Sequence, residues 1–112
     1  MLIYKILLPA EWDRFESAGR FDGSPFDHRD GFVHCSSRAQ VGRTALRFFA
    51  TEPALVVAVL DGDVLGPDLR WEPASDGERF PHVYGTLPMA AVVAVHRVPG
   101  AAHVDRALAS SE

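Results

Sequence analysis

The stretch Leu55-Val-Val-Ala-Val-Leu60 decides the fold class of this 112-residue chain. An unbroken apolar run with β-branched residues is typical of a strand that is covered on both faces, because a strand with one wet face alternates apolar and polar residues. We therefore predict a central strand over residues 55–60. Residues 2–8 and 92–98 are also rich in apolar residues and predict two further strands.

Two main helices are predicted before the central strand. Pro9 suits the first turn of a helix, where its missing N–H has no partner to lose, and Gly19 is a typical helix stop. Ser37 and Gln40 have the spacing of a capping box, so a second helix should begin there and end near Thr51. The expected apolar faces are Trp12, Phe15 and Ala18 in the first helix, and Val41, Ala45, Phe48 and Phe49 in the second.

The connecting segments are rich in turn residues. Residues 20–30 predict a polar loop, and residues 32–35 predict a short strand. The stretch between the central and last strands is too long for a structureless loop, so short strands near residues 69–71 and Tyr84 should interrupt it.

This order of elements predicts a compact α+β fold. Residues 1–98 should form a single domain with a curved, mixed β-sheet and the two main helices. Residues 99–112 offer little apolar surface, and we expect a short helix or a disordered tail there.

Composition bears on partners and location. A net charge of -4 argues against a general nucleic-acid binder, which needs a clear excess of Lys and Arg. No apolar run approaches the roughly 20 residues that span a bilayer, so no membrane partner is expected. The single Cys35 cannot form an internal disulfide, which favours a reducing cytoplasm.

Two segments concentrate aromatic rings and titratable groups, namely Leu69-Arg-Trp-Glu-Pro73 and Phe80-Pro-His-Val-Tyr-Gly85. Such residues in a stretch rich in Pro and Gly are typical of a surface that contacts a ligand. In an extended chain His82 and Tyr84 share a face, and Gly85 allows close approach of a ligand. The alternative is an apolar plug at one end of the sheet, in which His82 bonds a backbone carbonyl.

Arg70 and Glu72 should face together, with Trp71 on the opposite face. A buried Arg–Glu pair needs a reason, and catalysis or ligand orientation is one of the few. Glu72 could act as a general base or stabilise a cationic transition state. It could equally serve only to neutralise Arg70.

His34 and Ser36 share one face of the short strand that precedes the second helix. The first N–H groups of a helix favour anions, and Arg38 adds a positive charge, so the arrangement could cradle a phosphate or carboxylate. The alternative is a half-buried His34 and a purely capping Ser37. Cys35 should point into the core as an inert thiol, because no partner that would lower its pKa is evident.

A metal site is a weaker alternative. His34, His82 and Glu72 are suitable ligand types for zinc or iron(II). The sequence has none of the usual spacings between ligands, such as H-x-H, H-x-x-x-H or C-x-x-C. We therefore expect no metal.

The motifs resemble the bacterial domain of unknown function 952 over residues 2–98. They are Ile3-Tyr-Lys-Ile6, Trp12, Gly31-Phe-Val-His-Cys-Ser36, Gln40, Thr44, Leu69-Arg-Trp-Glu72 and Phe80-Pro-His-Val-Tyr-Gly-Thr-Leu-Pro88. Cys35 and Thr86 depart from the family pattern without altering its polar residues. That family is similar in fold to the ADP-ribosyltransferase superfamily, so the resemblance implies an ADP-ribosyltransferase-like fold.

The resemblance also implies a site. In that superfamily an early-strand residue contacts the ribose of NAD, aromatic residues stack on nicotinamide, and a later His or Glu completes the site. By resemblance His34 takes the early-strand role, and His82 or Glu72 serves the reacting centre. The expected ligand contacts are Ser36, Gln40, Thr44, Arg70, Trp71, Tyr84 and Gly85.

These roles imply an enzyme that handles NAD or an ADP-ribosylated or phosphorylated small molecule. The alternative is a non-catalytic ligand-binding or sensor domain that uses the same pocket. The ligand should be a small anion in either case, and no protein partner is evident.

Overall fold

Strand β4 (Leu55–Asp61) is the central strand of the fold, as its apolar sequence predicts. It pairs antiparallel with β1 (Leu2–Leu7) on one side and β8 (Val92–Val98) on the other. Alternate side chains of β4 enter two different hydrophobic cores, which explains why both of its faces are apolar. The computed structural model describes residues 1–109 of the chain.

The other elements surround this sheet. They are helix α1 (Pro9–Ala18), strand β2 (Arg20–Phe21), helix α2 (Pro25–Asp30), strand β3 (Val33–His34), helix α3 (Arg38–Phe48), helix α4 (Gly62–Leu65), strands β5 (Leu69–Pro73), β6 (Arg79–Val83) and β7 (Leu87–Pro88), and helix α5 (Val104–Ala109). Single turns of 3-10 helix lie at Gly66–Asp68, Met89–Ala91 and Ala101–His103.

A second sheet, in the order β3-β6-β5, carries half of the ten predicted site residues, namely His34, Arg70, Trp71, Glu72 and His82. A backbone bridge joins it to the first sheet, because Tyr4 and Ser36 exchange two N–H···O hydrogen bonds of 2.8 Å. Strands β2 and β7 form a small third sheet.

The α+β class is confirmed, but the sheets differ from our expectation in one respect. Every strand pairing in residues 1–109 is antiparallel, whereas we expected a mixed sheet. Apolar patterns report which strands are buried. Strand direction depends on how the chain returns over long distances, and the patterns do not carry that information.

The prediction of a polar loop over residues 20–30 is wrong, because β2 and α2 lie there. Helix α2 begins with Ser24 and Pro25, a typical cap followed by a typical first residue. Ser24 Oγ accepts the Asp27 N–H at 3.2 Å, and Asp27 Oδ2 accepts the Ser24 N–H at 2.9 Å. The sequence contains the residues of this reciprocal capping box, but the surrounding charged residues favoured the prediction of a loop.

The end of α3 differs from expectation, whereas the tail contains a short helix, one of the two expected outcomes. Helix α3 ends at Phe48, and that ring is 56% exposed rather than part of the apolar face with Val41 and Ala45. The tail contains α5, which buries Val104 and Leu108 against the core, and residues 110–112 lie outside the described part. No helix in residues 1–109 is long and apolar enough to cross a membrane.

Candidate ligand-binding cavity

A cavity of about 840 Å³ opens between β1, helices α2 and α3, and strand β6. Clefts of roughly 300–1,000 Å³ are typical of sites for small molecules. His34 and His82, two of the three expected catalytic residues, line this cavity together with the rings of Phe26 and Phe48. The third, Glu72, does not line it but hydrogen-bonds to His82.

Asp27 is the buried centre of the hydrogen bonding beside this cavity, with a side chain that is 2% exposed. Its Oδ1 accepts from His34 Nδ1 at 2.6 Å and from the His34 backbone N–H at 3.0 Å. Its Oδ2 accepts from Lys5 Nζ at 3.1 Å, and Lys5 Nζ also donates to the His34 carbonyl at 2.9 Å. One buried carboxylate thus ties together β1, α2 and β3.

The electrostatics favour ionised carboxylates on both sides of His34. Burial raises the pKa of Asp27, but the hydrogen bond from His34, the charge of Lys5 and two backbone N–H groups together hold that pKa well below its usual range. Asp30 Oδ2 lies 2.8 Å from His34 Nε2, and this hydrogen bond lowers the pKa of Asp30. Both ring nitrogens of His34 are therefore engaged by carboxylates, which only accept hydrogen bonds when they are ionised.

His82 is held differently, by Glu72 and through it by Tyr84. The Tyr84 hydroxyl donates to Glu72 Oε1 at 2.6 Å, and His82 Nδ1 lies 2.8 Å from the same oxygen. These hydrogen bonds lower the pKa of Glu72, and the contact with Glu72 raises the pKa of Tyr84. An ionised Glu72 makes Nδ1 the protonated nitrogen of a neutral His82 ring. Nε2 is then the acceptor, and it makes no hydrogen bond to any residue in the described range 1–109.

The second sheet places the remaining predicted residues on opposite faces. Arg70 pairs with His82 in register, and its guanidinium lies 4.6 Å from the centroid of the Tyr84 ring. Glu72 hydrogen-bonds to His82 and Tyr84, whereas Arg70 lowers the pKa of Glu72 only through its charge. Trp71 faces the other way, as predicted, and packs against the core of the first sheet rather than lining the cavity.

Four expected ligand contacts have partners within the chain. Ser36 Oγ donates to Thr44 Oγ1 at 3.3 Å, and both residues line the cavity. Gln40 Nε2 donates to the Arg79 carbonyl at 2.7 Å, so it anchors the β5–β6 hairpin to α3. A Cβ placed at Gly85 would lie 2.7 Å from Asp68 Oδ2, so the backbone at Gly85 closely approaches the chain's own side chain.

Sequence reasoning missed several residues of the cavity wall. Phe26 lines the cavity and stacks on His34 with ring centroids 4.4 Å apart. Phe32 does not line the cavity, but its ring centroid lies 4.6 Å from that of His34 and 3.9 Å from that of His82. Lys5 carried a usable signal, because a lysine within a buried apolar strand requires a buried partner. That partner, Asp27, is 22 residues away, and nothing local in the sequence connects the two.

Cys35 is buried, as predicted, and burial raises the pKa of its thiol to about 12. No group of three or more His, Cys, Asp or Glu residues in the described range is arranged to hold a metal ion.

The fold is similar to those of several solved structures. A crystal structure of protein CC0527 from Caulobacter crescentus is 42% identical with a TM-score of 0.84, covering 88% of this chain and 86% of that one. A solution NMR structure of CC0527 is 38% identical with a TM-score of 0.80, covering 94% and 95%.

A mutant of heat-labile enterotoxin, whose A subunit has a flexible active-site loop, is 18% identical with a TM-score of 0.59, covering 89% of this chain and 69% of the toxin chain. At this identity the likeness concerns the fold alone, and it confirms the expected similarity to an ADP-ribosyltransferase toxin fold. No match was found among curated proteins. The profile of the protein family of unknown function DUF952 matches residues 6–95, and the chain belongs to that family.

Proposed function

We propose that this protein is an ADP-ribosyltransferase-like enzyme that acts on NAD or on an ADP-ribosylated or phosphorylated small molecule. The observation that carries the proposal is the pair His34 and His82, which line one cavity and are each held at Nδ1 by a carboxylate. The likeness of the fold to the toxin supports it by analogy only.

The two histidines have different roles in this proposal. His34 has both ring nitrogens occupied by Asp27 and Asp30, so it holds a fixed position beside the ligand and does not exchange a proton. His82 offers a free Nε2, which accepts a proton from a ribose hydroxyl or an attacking nucleophile. Glu72 holds the ring of His82 and stabilises the imidazolium that forms.

The test is release of free nicotinamide from NAD, followed by proton NMR. His82→Gln should slow release by about a hundredfold or more, a typical contribution of general acid–base catalysis. Glu72→Gln should also slow it, because the His82 ring loses its charged partner. His103→Gln alters an exposed histidine outside the cavity and should leave the rate unchanged. Absence of release by the wild-type protein would contradict NAD as the substrate.

A non-catalytic ligand-binding or sensor domain is the second candidate. The observation that favours it is the engagement of both ring nitrogens of His34, which leaves that ring unable to accept a proton. Titration of labelled protein with ADP-ribose should then shift backbone amides around residues 34–40 and 70–85 without any turnover of NAD. Nicotinamide release would rule this candidate out.

A further inference from the structure

A continuous row of aromatic rings lies beside the cavity, and all of its members except Phe32 line the cavity. Phe48 and Phe26 have ring centroids 6.0 Å apart, and Phe26 stacks on His34 at 4.4 Å. Phe32 continues the row, with its ring 4.6 Å from His34 and 3.9 Å from His82. The row therefore connects the proposed reacting centre at His82 with the last residue of α3.

The outer end of this row is exposed and positively charged. Phe48 is 56% exposed and Phe26 is 40% exposed. The Arg47 guanidinium lies 5.1 Å from the centroid of Phe48, and the Arg29 guanidinium lies 4.4 Å from that of Phe26. Arg29 also contacts Asp30, whereas Arg47 has no ion pair with any residue in the described part of the chain.

Arg43, the neighbouring arginine on α3, differs from Arg47 in having an ion-pair partner. Arg43, one helical turn before Arg47, lines the same wall but pairs with Glu78 at 2.7 Å. Arg47 is thus a cation of the cavity wall whose charge is available to a ligand. Exposed rings beside such a cation match a flat aromatic ring that bears an anionic group.

We propose that the outer end of the row, Phe48, Phe26 and Arg47, is a subsite for a purine nucleotide. The purine stacks on the open face of Phe48 with Phe26 at its edge, and the phosphate faces Arg47. A purine inserted between the rings of Phe26 and Phe48 would need the two rings to be about 7 Å apart, which is twice a normal contact distance of ~3.5 Å. Their centroids are only 6.0 Å apart, so the purine stacks on the outside of Phe48.

This inference rests on the proposed function, because it assigns the adenine half of an NAD-type ligand to the mouth of the cavity. A neutral purine suits this end better than a cationic nicotinamide ring, since Arg29 and Arg47 already lie against the two phenyl rings. The nicotinamide half would then lie towards His82, where the negative charge of Glu72 suits a cation.

The test compares AMP with ribose 5-phosphate by calorimetric titration of the wild-type protein, Phe48→Leu and Leu46→Ala. AMP should bind the wild type about tenfold more tightly, the factor that one stacked base typically contributes. Phe48→Leu should remove most of that preference and leave the affinity for ribose 5-phosphate unchanged. Leu46→Ala is the matched control, because Leu46 is also exposed on α3 but does not line the cavity.

Two results would overturn the subsite: equal affinity of the wild type for both compounds, or an unchanged preference in Phe48→Leu. The nicotinamide assay separates this failure from failure of the proposed function. A purine preference without nicotinamide release supports the subsite and contradicts transfer chemistry on NAD. Release without a purine preference contradicts the subsite alone. Since Phe48 is mostly exposed, Phe48→Leu should fold normally, which its thermal midpoint will show.

Discussion

His34 and His82 lie directly opposite each other on β3 and β6, and their ring centroids are 5.9 Å apart. Each has its Nδ1 nitrogen bonded to a carboxylate, from Asp27 in one case and Glu72 in the other. The rings differ at Nε2. Nε2 of His34 contacts Asp30, whereas Nε2 of His82 makes no hydrogen bond to any residue in the described range 1–109. Paired positions in one sheet thus hold one histidine with both ring nitrogens engaged and one histidine whose Nε2 is open.

Replacement of Asp27 by Asn should destabilise the fold. The change leaves the charge of Lys5, a residue only 6% exposed, without its partner, and removal of one member of a buried pair typically costs about 3–5 kcal/mol of unfolding free energy. Urea unfolding measures this loss. Asp22→Asn is the control, because its pair with Arg20 is exposed and should contribute about 1 kcal/mol or less. Equal losses in both variants would contradict the central role of Asp27.

Acid should destabilise the protein through the same carboxyl. The pKa of Asp27 is lowered in the folded state from an ordinary value of 3.8, so the unfolded chain takes up a proton at higher pH than the native protein. Its stabilising contribution is therefore fully present above about pH 5 and is lost as the pH falls below about 4. The difference in unfolding free energy between the wild type and Asp27→Asn should shrink in that acid range. A difference independent of pH would argue against this assignment.

The neutral ring of His82 should carry its hydrogen on Nδ1. Glu72 Oε1 accepts that hydrogen, and its lowered pKa keeps it an acceptor at neutral pH. Nitrogen-15 NMR of the imidazole distinguishes the two tautomers of the neutral ring. In Glu72→Gln the Nδ1–H form should lose its preference. If the neutral His82 ring of Glu72→Gln still carried its hydrogen mainly on Nδ1, something other than the carboxylate would set the tautomer.

Cys35 should be unreactive while the protein is folded. Burial raises the pKa of its thiol from 9.0 to about 12, which reduces the thiolate fraction about a thousandfold. A thiol reagent at mildly alkaline pH should modify the unfolded chain at least about a hundredfold faster than the native protein. Comparable rates in the two states would show that the cavity exposes the sulfur.

The main elements could be predicted because each has a strong local signal. The apolar run at residues 55–60 is buried on both faces, and Pro9 and Gly19 mark the start and end of α1 as expected. Helix α2 was missed although Ser24 and Pro25 are a typical helix start, because its charged residues are also typical of a loop. The antiparallel direction of the sheets had no local signal.

The candidate site was predictable only in part. His34, His82 and Glu72 were found from their residue types and positions, and the structure brings them together through β3, β6 and β5. Asp27 was missed, although it holds His34 from seven residues away. Phe48 was assigned to the core, because its spacing from Ala45 fits the apolar stripe and the sequence does not show where the helix leaves the sheet.

The sequence by itself determined the central strand, both main helices, the burial of Cys35 and the polar residues able to do chemistry. These features follow from local periodicity and residue type, which report burial directly. Only the tertiary structure decided which carboxylate holds which histidine, and that Lys5 pairs with Asp27. Such partners are chosen by strand register and by the packing of α2 against the sheets, because a hydrogen bond requires its two atoms to lie about 3 Å apart whatever their distance in sequence.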